Sequence, residues 1–454
     1  FNSTDRSGLS FSNFLSSERV WVSHSGLLSP TYDNWSIEFG FGKNHGIKTL
    51  QDYFPGKNFN IVRNPDTSVI KMRVSDRHVS FSLDIYGGKT EIDEAILDLH
   101  IDLKPDAPID SFFILVRPYN QIRLGGASSI SFFEEERTVQ INNRKALFFN
   151  THPINAYAGN AETGDVLRFP VSRSKISCAY GTATAGYQFK AEKGKNNYLV
   201  RMGLSASHDI KPVNLDYSGI MANFQEYSKL RLNSGFNLQI NDASFLNCFK
   251  CSKQVLLNHV NSEFVPKDDY HSIEYYKEMA FLTLGLNRMG FHKESLSVIE
   301  NLIHNLPAVK VLTLSNAIML SYAIFAVHDY FLNTRDTAFI QSRYAPLKPF
   351  LQQLTAFSKD NFSHAVESWC HSNSLKYSIT LKPHIHDVAL INHALRQFSY
   401  ISRCLGLFGD ENTFSDESSR IEEVIRNAVF SHTEVSPKGQ EEEDASTSGD
   451  DNEK

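Results

Sequence analysis

Two stretches indicate the fold class: Val79-Ser80-Phe81-Ser82-Leu83-Asp84-Ile85-Tyr86 and Ala95-Ile96-Leu97-Asp98-Leu99-His100-Ile101-Asp102-Leu103. Both alternate between apolar residues and mostly polar ones, so the apolar side chains share one face when the backbone is extended. Gly87-Gly88 follows the first stretch and predicts the turn of a hairpin between the two. The sequence therefore predicts antiparallel strands with one buried face.

Further short apolar stretches extend this pattern through the first half of the chain. The run at residues 112–116 is continuously apolar and predicts a strand that is covered on both faces. Additional strands are predicted at residues 129–133, 138–141, 146–149 and 198–202. Because no long helical period interrupts them, we expect residues 1–240 to form a large antiparallel β-sandwich.

The period of the apolar residues changes from two to 3.6 near Asn241. About seven helices are predicted from there on, at residues 245–256, 275–289, 292–303, 315–332, 336–357, 386–405 and 415–429. Several helices joined by short links are typical of stacked helical hairpins, so residues 241–432 are predicted to form a helical domain. Residues 433–454 contain eight acids and two lysines, which predicts a disordered acidic tail.

The charge and cysteine content exclude several classes of function. The net charge of −6 is contributed by the acidic tail, so no basic patch for nucleic acid or an anionic membrane is expected. No apolar run approaches the roughly 20 residues of a membrane span. The five cysteines are few and odd in number, which favours a reducing, cytoplasmic compartment.

Possible metal and cofactor motifs are weak. Cys248 and Cys251 form a CxxC, but no second ligand pair follows at zinc-finger spacing, and neighbours on one amphipathic helix are the favoured interpretation. His384 and His386 form a His-x-His, which is common in unrelated loops. Gly125-Gly126 lacks the third glycine and the helix of a nucleotide site. No metal and no cofactor are predicted.

A set of short segments, in a particular order and spacing, carries a resemblance to a known family. The segments are Ile114–Asn120, Ser129-Ile130, Gly164–Val166, Tyr270–Ser272, Tyr276–Phe281, Met289–Phe291, Asn316–Asp336, Tyr344–Leu347 and His386-Asp387. Together they resemble bacterial six-hairpin glycosidase-like proteins, which are relatives of glucoamylase and of the glucosidase part of glycogen debranching enzymes. The resemblance spans residues 20–430.

This resemblance implies a β-sandwich followed by an (α/α)6 toroid, of which the predicted helices are an incomplete part. It also implies an oligo- or polysaccharide ligand and inverting hydrolysis of α-glucosidic bonds. Inversion uses a carboxylic acid that protonates the leaving oxygen and a second carboxylate that activates water. Fold similarity does not by itself confer that chemistry.

The resemblance also assigns substrate-binding roles. Lys277-Glu278 stands where family members carry Arg-Asp in contact with the non-reducing-end sugar. Lysine lacks the guanidinium fork, so an ordinary solvated pair near a helix start is the alternative. Asp387 stands at a motif that is Trp-Asp-Asp-like in related proteins and is a candidate sugar contact, whereas its neighbour His386 is equally well explained as a polar residue at a helix N-terminus.

The candidate general acid is Glu367, in a loop predicted at residues 364–370. An apolar neighbour raises the pKa of a carboxyl group, and Trp369 is the neighbour here and a further candidate sugar contact. A surface glutamate is the alternative. The second carboxylate comes from the last hairpin in the glucoamylase-like arrangement, and no residue of this sequence is identified for it.

Three functions follow as hypotheses. The first is a glycoside-hydrolase-like protein of carbohydrate metabolism that acts on α-linked glucans. The second is a non-catalytic carbohydrate-binding or scaffold protein that has lost the catalytic carboxylates. The third is phosphorolysis, against which the sequence shows no cluster of arginine and histidine for phosphate.

Overall fold

A computed structural model describes residues 8–12, 19–30, 33–43, 46–57, 59–89, 93–120, 124, 126–204, 208–260, 272–306, 312–370 and 385–430. The chain divides into two compact units. The first is Phe1–Phe264 with Met289–Phe291, and the second is Val265–Arg288 with His292–Lys454. The predicted fold class, an antiparallel β-sandwich followed by helical hairpins of the α/α-toroid type, is confirmed.

The described strands all belong to the first unit. In chain order they are β1 (Gly8–Ser12), β2 (Arg19–Ser23), β3 (Leu28–Pro30), β4 (Ser36–Lys43), β5 (Gly46–Thr49), β6 (Asn60–Arg63), β7 (Ile70–Ser75), β8 (Val79–Lys89), β9 (Asp93–Leu103), β10 (Ser111–Arg117), β11 (Ser129–Phe133), β12 (Thr138–Ile141), β13 (Arg144–Phe149), β14 (Asn155–Gly159), β15 (Lys175–Ser177), β16 (Thr184–Lys190) and β17 (Gly194–Gly203).

The described helices belong to both units. Three lie in the first unit: α1 (Leu50–Tyr53), α2 (Tyr217–Asn233) and α3 (Ala243–Val260). The second unit contains α4 (Ile273–Arg288), α5 (His292–His304), α6 (Leu314–Thr334), α7 (Thr337–Cys370), α8 (Ile385–Cys404) and α9 (Phe408–Phe430).

The strands form two antiparallel sheets. One has the order β1-β2-β3-β4-β10-β16-β14, with β5 paired to β4. The other has the order β15-β11-β12-β13-β17-β9-β8-β7-β6. The strands predicted at residues 79–86, 95–103, 112–116, 129–133, 138–141, 146–149 and 198–202 all lie within observed strands. Strands β1 to β7 and β14 to β16 were not predicted; most of them are short, but β4 and β7 do alternate between apolar and other residues.

Aromatic side chains from both sheets fill the core of the sandwich. The Phe112 ring of β10 lies 6.1 Å from Phe39, 6.4 Å from Phe81 and 5.1 Å from Tyr198, measured between centroids. Phe39 belongs to the same sheet as Phe112, whereas Phe81 and Tyr198 belong to the other sheet. Every residue of β10 is buried, as the continuous apolar run predicted.

The turn predicted at Gly87-Gly88 is wrong. Strand β8 continues to Lys89, and its register pairs Gly87 with Ala95 and Gly88 with Glu94. A β-carbon on Gly88 would lie 3.2 Å from the Ile96 side chain. The glycine therefore marks a close approach of neighbouring side chains within the sheet, which a sequence pattern does not distinguish from a turn.

The helices differ from the prediction at several places: α1 was not predicted, and α9 begins at Phe408 rather than at residue 415. Helix α2 was not predicted, because its apolar residues form only a weak periodic pattern, and it packs against β8. Helix α7 runs to Cys370, so the loop predicted at residues 364–370 is wrong. No glycine or proline occurs between residues 350 and 370 to end it. Within the described part of the chain no helix has the length and apolarity of a membrane span.

Candidate functional site

Three helices of the second unit pack side by side and present a common exposed face. Helix α6 packs against both α4 and α8. Exposed or half-buried residues recur every three to four positions on α4 and α6, which places them on one side of each helix. The residues of α8 join this surface through their proximity to residues of α6. We call this surface the row face. It consists of Glu274, Lys277, Glu278 and Phe281 on α4, Tyr322, Phe325 and His328 on α6, and Asp387, His393 and Tyr400 on α8.

An aromatic band crosses the row face from helix to helix. The ring of Phe281 lies 6.3 Å from that of Phe325, and Phe325 lies 6.3 Å from His393. One turn further along, the His328 ring lies 5.6 Å from that of Tyr400. Phe281 is 52% exposed, so about half of its surface is open to solvent. The band therefore offers an apolar surface that a flat ligand face could cover.

Carboxylates lie on the N-terminal side of this band. Glu274 precedes Phe281 by two helical turns, and Asp387 precedes His393 by six residues, which is about 9 Å of helix. Burial, followed by the negative charges of Asp387 and then Glu274, raises the pKa of Tyr322. The Tyr322 hydroxyl on α6 therefore interacts electrostatically with Glu274 of α4 and Asp387 of α8. This end of the row face combines hydrogen-bond acceptors with a hydroxyl donor.

The C-terminal side of the band carries an arginine and a histidine. The Arg335 guanidinium donates a hydrogen bond to the Tyr400 hydroxyl at 3.1 Å. Burial, followed by the charges of His393 and Arg335, lowers the pKa of His328 to about 4. His328 is therefore a neutral imidazole at physiological pH. Asp329, its neighbour in sequence, is buried and accepts a hydrogen bond from the Asn287 amide at 2.8 Å.

The structure brings three of the predicted substrate-binding residues onto this surface. Lys277 and Glu278 are exposed on α4, three to four residues before Phe281. Asp387 is half-buried in the first turn of α8. His386 is exposed at the second position of α8, in agreement with its alternative interpretation as a helix N-terminal residue. Their predicted roles stay predictions.

The predicted general acid, Glu367, belongs to a helix. Glu367 and Trp369 belong to the last part of α7 rather than to a loop, and their side chains lie outside the described residues. His384 also lies outside them. Cys248 and Cys251 are both on α3, as predicted for neighbours on a helix, and both are free thiols. Among the described residues no group of three histidines, cysteines or acids could hold a metal ion.

Sequence reasoning missed several row-face residues. Glu274, Tyr322, Phe325 and His393 come together only because α4, α6 and α8 are neighbours. Within each helix these residues occupy ordinary exposed or half-buried positions, so the sequence of one helix does not distinguish them from other surface residues. One sequence pattern could have indicated this surface: aromatic and polar residues occur together on the exposed sides of α4, α6 and α8.

The first unit also contains a buried ionic cluster. Arg117 on β10 donates two hydrogen bonds to Asp165, at 2.9 and 2.8 Å, and its Nε lies 3.4 Å from a carboxylate oxygen of Glu38. Burial raises the pKa of Glu38 to about 7, although the charge of Arg117 opposes the shift. Burial acts in the same direction on Asp165, but the Arg117 hydrogen bonds outweigh it and lower its pKa. The cluster joins β4, β10 and the loop at residues 160–174.

Comparisons with solved structures give fold-level similarities only. A GH92-family α-mannosidase from Bacteroides thetaiotaomicron is 10% identical over 90% of this chain and 62% of that one, with a TM-score of 0.34. A putative kojibiose phosphorylase from the human microbiome is 8% identical over 94% of this chain and 66% of that one, with a TM-score of 0.36.

A third neighbour is a GH92-family glycosyl hydrolase that is 9% identical over 88% of this chain and 51% of that one, with a TM-score of 0.26. The chain thus spans between half and two thirds of the length of these structures. Similarities with such low TM-scores do not identify a function. No protein-family model and no curated protein sequence matches the chain.

Proposed function

We propose that the chain binds an oligo- or polysaccharide on the row face. The observation that carries this proposal is the aromatic band of Phe281, Phe325 and His393 with acids of two helices beside it. A sugar ring has an apolar face that packs on an aromatic ring and a rim of hydroxyl groups that donate to carboxylates. Sites with an apolar lining and a few placed polar groups are typical of small-ligand binding.

The polar groups on the N-terminal side suit hydroxyl recognition. Glu274, Glu278 and Asp387 supply acceptors, while Lys277 and the Tyr322 hydroxyl supply donors. Both signs of charge are present, so a neutral ligand that donates and accepts hydrogen bonds fits better than an ion. This agrees with the sugar-contact roles that the family resemblance implies for Lys277, Glu278 and Asp387.

Inverting hydrolysis of an α-glucosidic bond is the catalytic form of the proposal. It requires two carboxyl groups about 6.5–9.5 Å apart on either side of the bond. The resemblance to glucoamylase-like proteins supports Glu367 as the acid. The alternative is a carbohydrate-binding or scaffold protein without turnover, which the replacement of Arg-Asp by Lys277-Glu278 favours.

Binding is tested by calorimetric titration with maltotetraose. Phe281→Ala removes an exposed ring of the band, and we expect binding about tenfold weaker because an aromatic contact contributes about 1 kcal/mol or more. Phe408→Ala is the matched control, since Phe408 is 64% exposed at the start of α9 and lies outside the row face. The proposal fails if maltotetraose does not bind, or if both variants lose affinity equally.

An assay of glucose release from maltotetraose distinguishes hydrolysis from binding without turnover. Glucose release from maltotetraose that is lost in Glu367→Gln, with binding retained, supports hydrolysis with Glu367 as acid. Wild-type release in that variant contradicts the role of Glu367. Binding without release supports the non-catalytic alternative, and release that depends on added phosphate supports phosphorolysis.

A further inference from the structure

A cavity in the first unit is lined in part by basic side chains. It encloses about 470 Å³ between the β6–β7 connection and helices α2 and α3. Three lysines line it: Lys229 from α2, and Lys250 and Lys253 from α3. The one acid among the lining residues is Asp66. The lining therefore carries a net charge of +2, which attracts a small anion.

Lys253 is held at this cavity by the surrounding structure. The residue is only 2% exposed, and its ammonium donates a hydrogen bond to the Phe236 carbonyl at 2.7 Å. The same ammonium lies over the rings of Phe249 and Phe291, at 5.8 and 5.2 Å from their centroids. An ammonium has three donors, and one hydrogen bond to the described part of the protein leaves two of them for a ligand.

Among the described residues that line the cavity, the three lysines outnumber the acids. Burial, followed by the charge of Lys250, lowers the pKa of Lys253, and an anion between the two would reverse this shift. Lys250 pairs with Asp66 at 2.6 Å, but Asp66 is largely exposed, so this surface pair is weak. Lys250 is consequently able to turn from Asp66 to a ligand at low cost.

The rest of the lining suits a polyol rather than a bare ion. Asn64, Asn233 and Asn237 line the cavity. The Asn64 Oδ1 accepts from the backbone N–H groups of Asp66 and Thr67, so Asn64 offers a ligand its amide NH2, whereas the amides of Asn233 and Asn237 offer both donors and acceptors. Phe249 supplies an apolar wall. The volume lies in the range of small-molecule sites and greatly exceeds that of an inorganic ion.

We infer that this cavity binds a phosphorylated monosaccharide, with the phosphate at Lys229, Lys250 and Lys253 and the sugar hydroxyls at the asparagine amides. Lysine binds phosphate as a point charge, and several lysines suit a dianion. The site is separate from the row face, which belongs to the second unit, and the inference does not depend on the function proposed there.

The test is calorimetric titration of the full chain with glucose 6-phosphate, beside glucose and inorganic phosphate. We expect glucose 6-phosphate to bind more tightly than either. The double variant Lys229→Met with Lys250→Met should weaken binding about tenfold or more, because each lysine contributes a charge-assisted hydrogen bond. Lys253 is left in place, since a change at a buried residue would also disturb folding.

Two further variants make the outcome specific. Asp66→Asn removes the competing acid, so glucose 6-phosphate should bind several-fold more tightly. Lys104→Met with Lys195→Met removes the same charge from exposed positions outside the cavity and should leave affinity unchanged. Absence of binding to the wild type, equal loss in both double variants, or equal affinity for inorganic phosphate would overturn the inference.

Discussion

His328 makes the stability of the second unit depend on pH. The pKa of this imidazole is about 4 in the folded protein, against an ordinary value of 6.5. The groups responsible, after burial, are His393 on α8 and Arg335 after α6, and the ring also faces Tyr400. Because the folded state holds fewer protons than the unfolded state, stability is full above pH 6.5 and falls as the pH is lowered towards 4.

The size of the effect follows from these two pKa values. At pH 5 the unfolded imidazole is protonated, whereas the folded one is still mostly neutral. The 1.5 pH units between 6.5 and 5 correspond to about 2 kcal/mol of lost unfolding free energy. His328 is partly exposed, so screening by solvent reduces the expected loss to about 1–2 kcal/mol.

The assay is urea unfolding at pH 8 and pH 5, followed by circular dichroism at 222 nm. His328→Phe keeps a ring against Tyr400 but cannot be protonated, so it should lose about 1–2 kcal/mol less than the wild type on acidification. His304→Phe, at the exposed end of α5, serves as control and should follow the wild type. An imidazole signal of His328 that titrates at pH 6 or above in an NMR experiment would refute the reasoning.

Two predictions concern the first unit. Glu38 has a pKa raised from 4.5 to about 7, so the folded state holds the extra proton, and stability should fall by up to about 3 kcal/mol as pH rises from 4.5 to 7. Glu38→Gln should abolish this dependence in urea unfolding, and an unchanged pH profile would contradict it. Gly126→Ala should destabilise by about 2–3 kcal/mol, because its β-carbon would overlap the Asn34 carbonyl. Gly409→Ala, with no atom within 4 Å of the added carbon, should leave the thermal midpoint unchanged or slightly raised.

The site was only partly predictable. Lys277, Glu278 and Asp387 were named from a resemblance, and each lies on the row face. Tyr322 was not named, because nothing along α6 shows that acids of α4 and α8 lie near its hydroxyl. The cavity at Lys253 was also unpredicted. Its lining combines the β6–β7 connection with α2 and α3, which follow much later in the sequence.

Local sequence patterns identified β8 and β9 by their alternation, β10 by its continuous apolar run and α4 by its 3.6-residue period. Local periodicity decides which face of an element is buried, and this information is contained in a few consecutive residues. Only the tertiary structure decided that Gly87-Gly88 lies inside a strand, that α7 continues through Glu367, and that α4, α6 and α8 are neighbours. The physical reason is that these outcomes depend on packing between distant segments, whose contact energies no local pattern records.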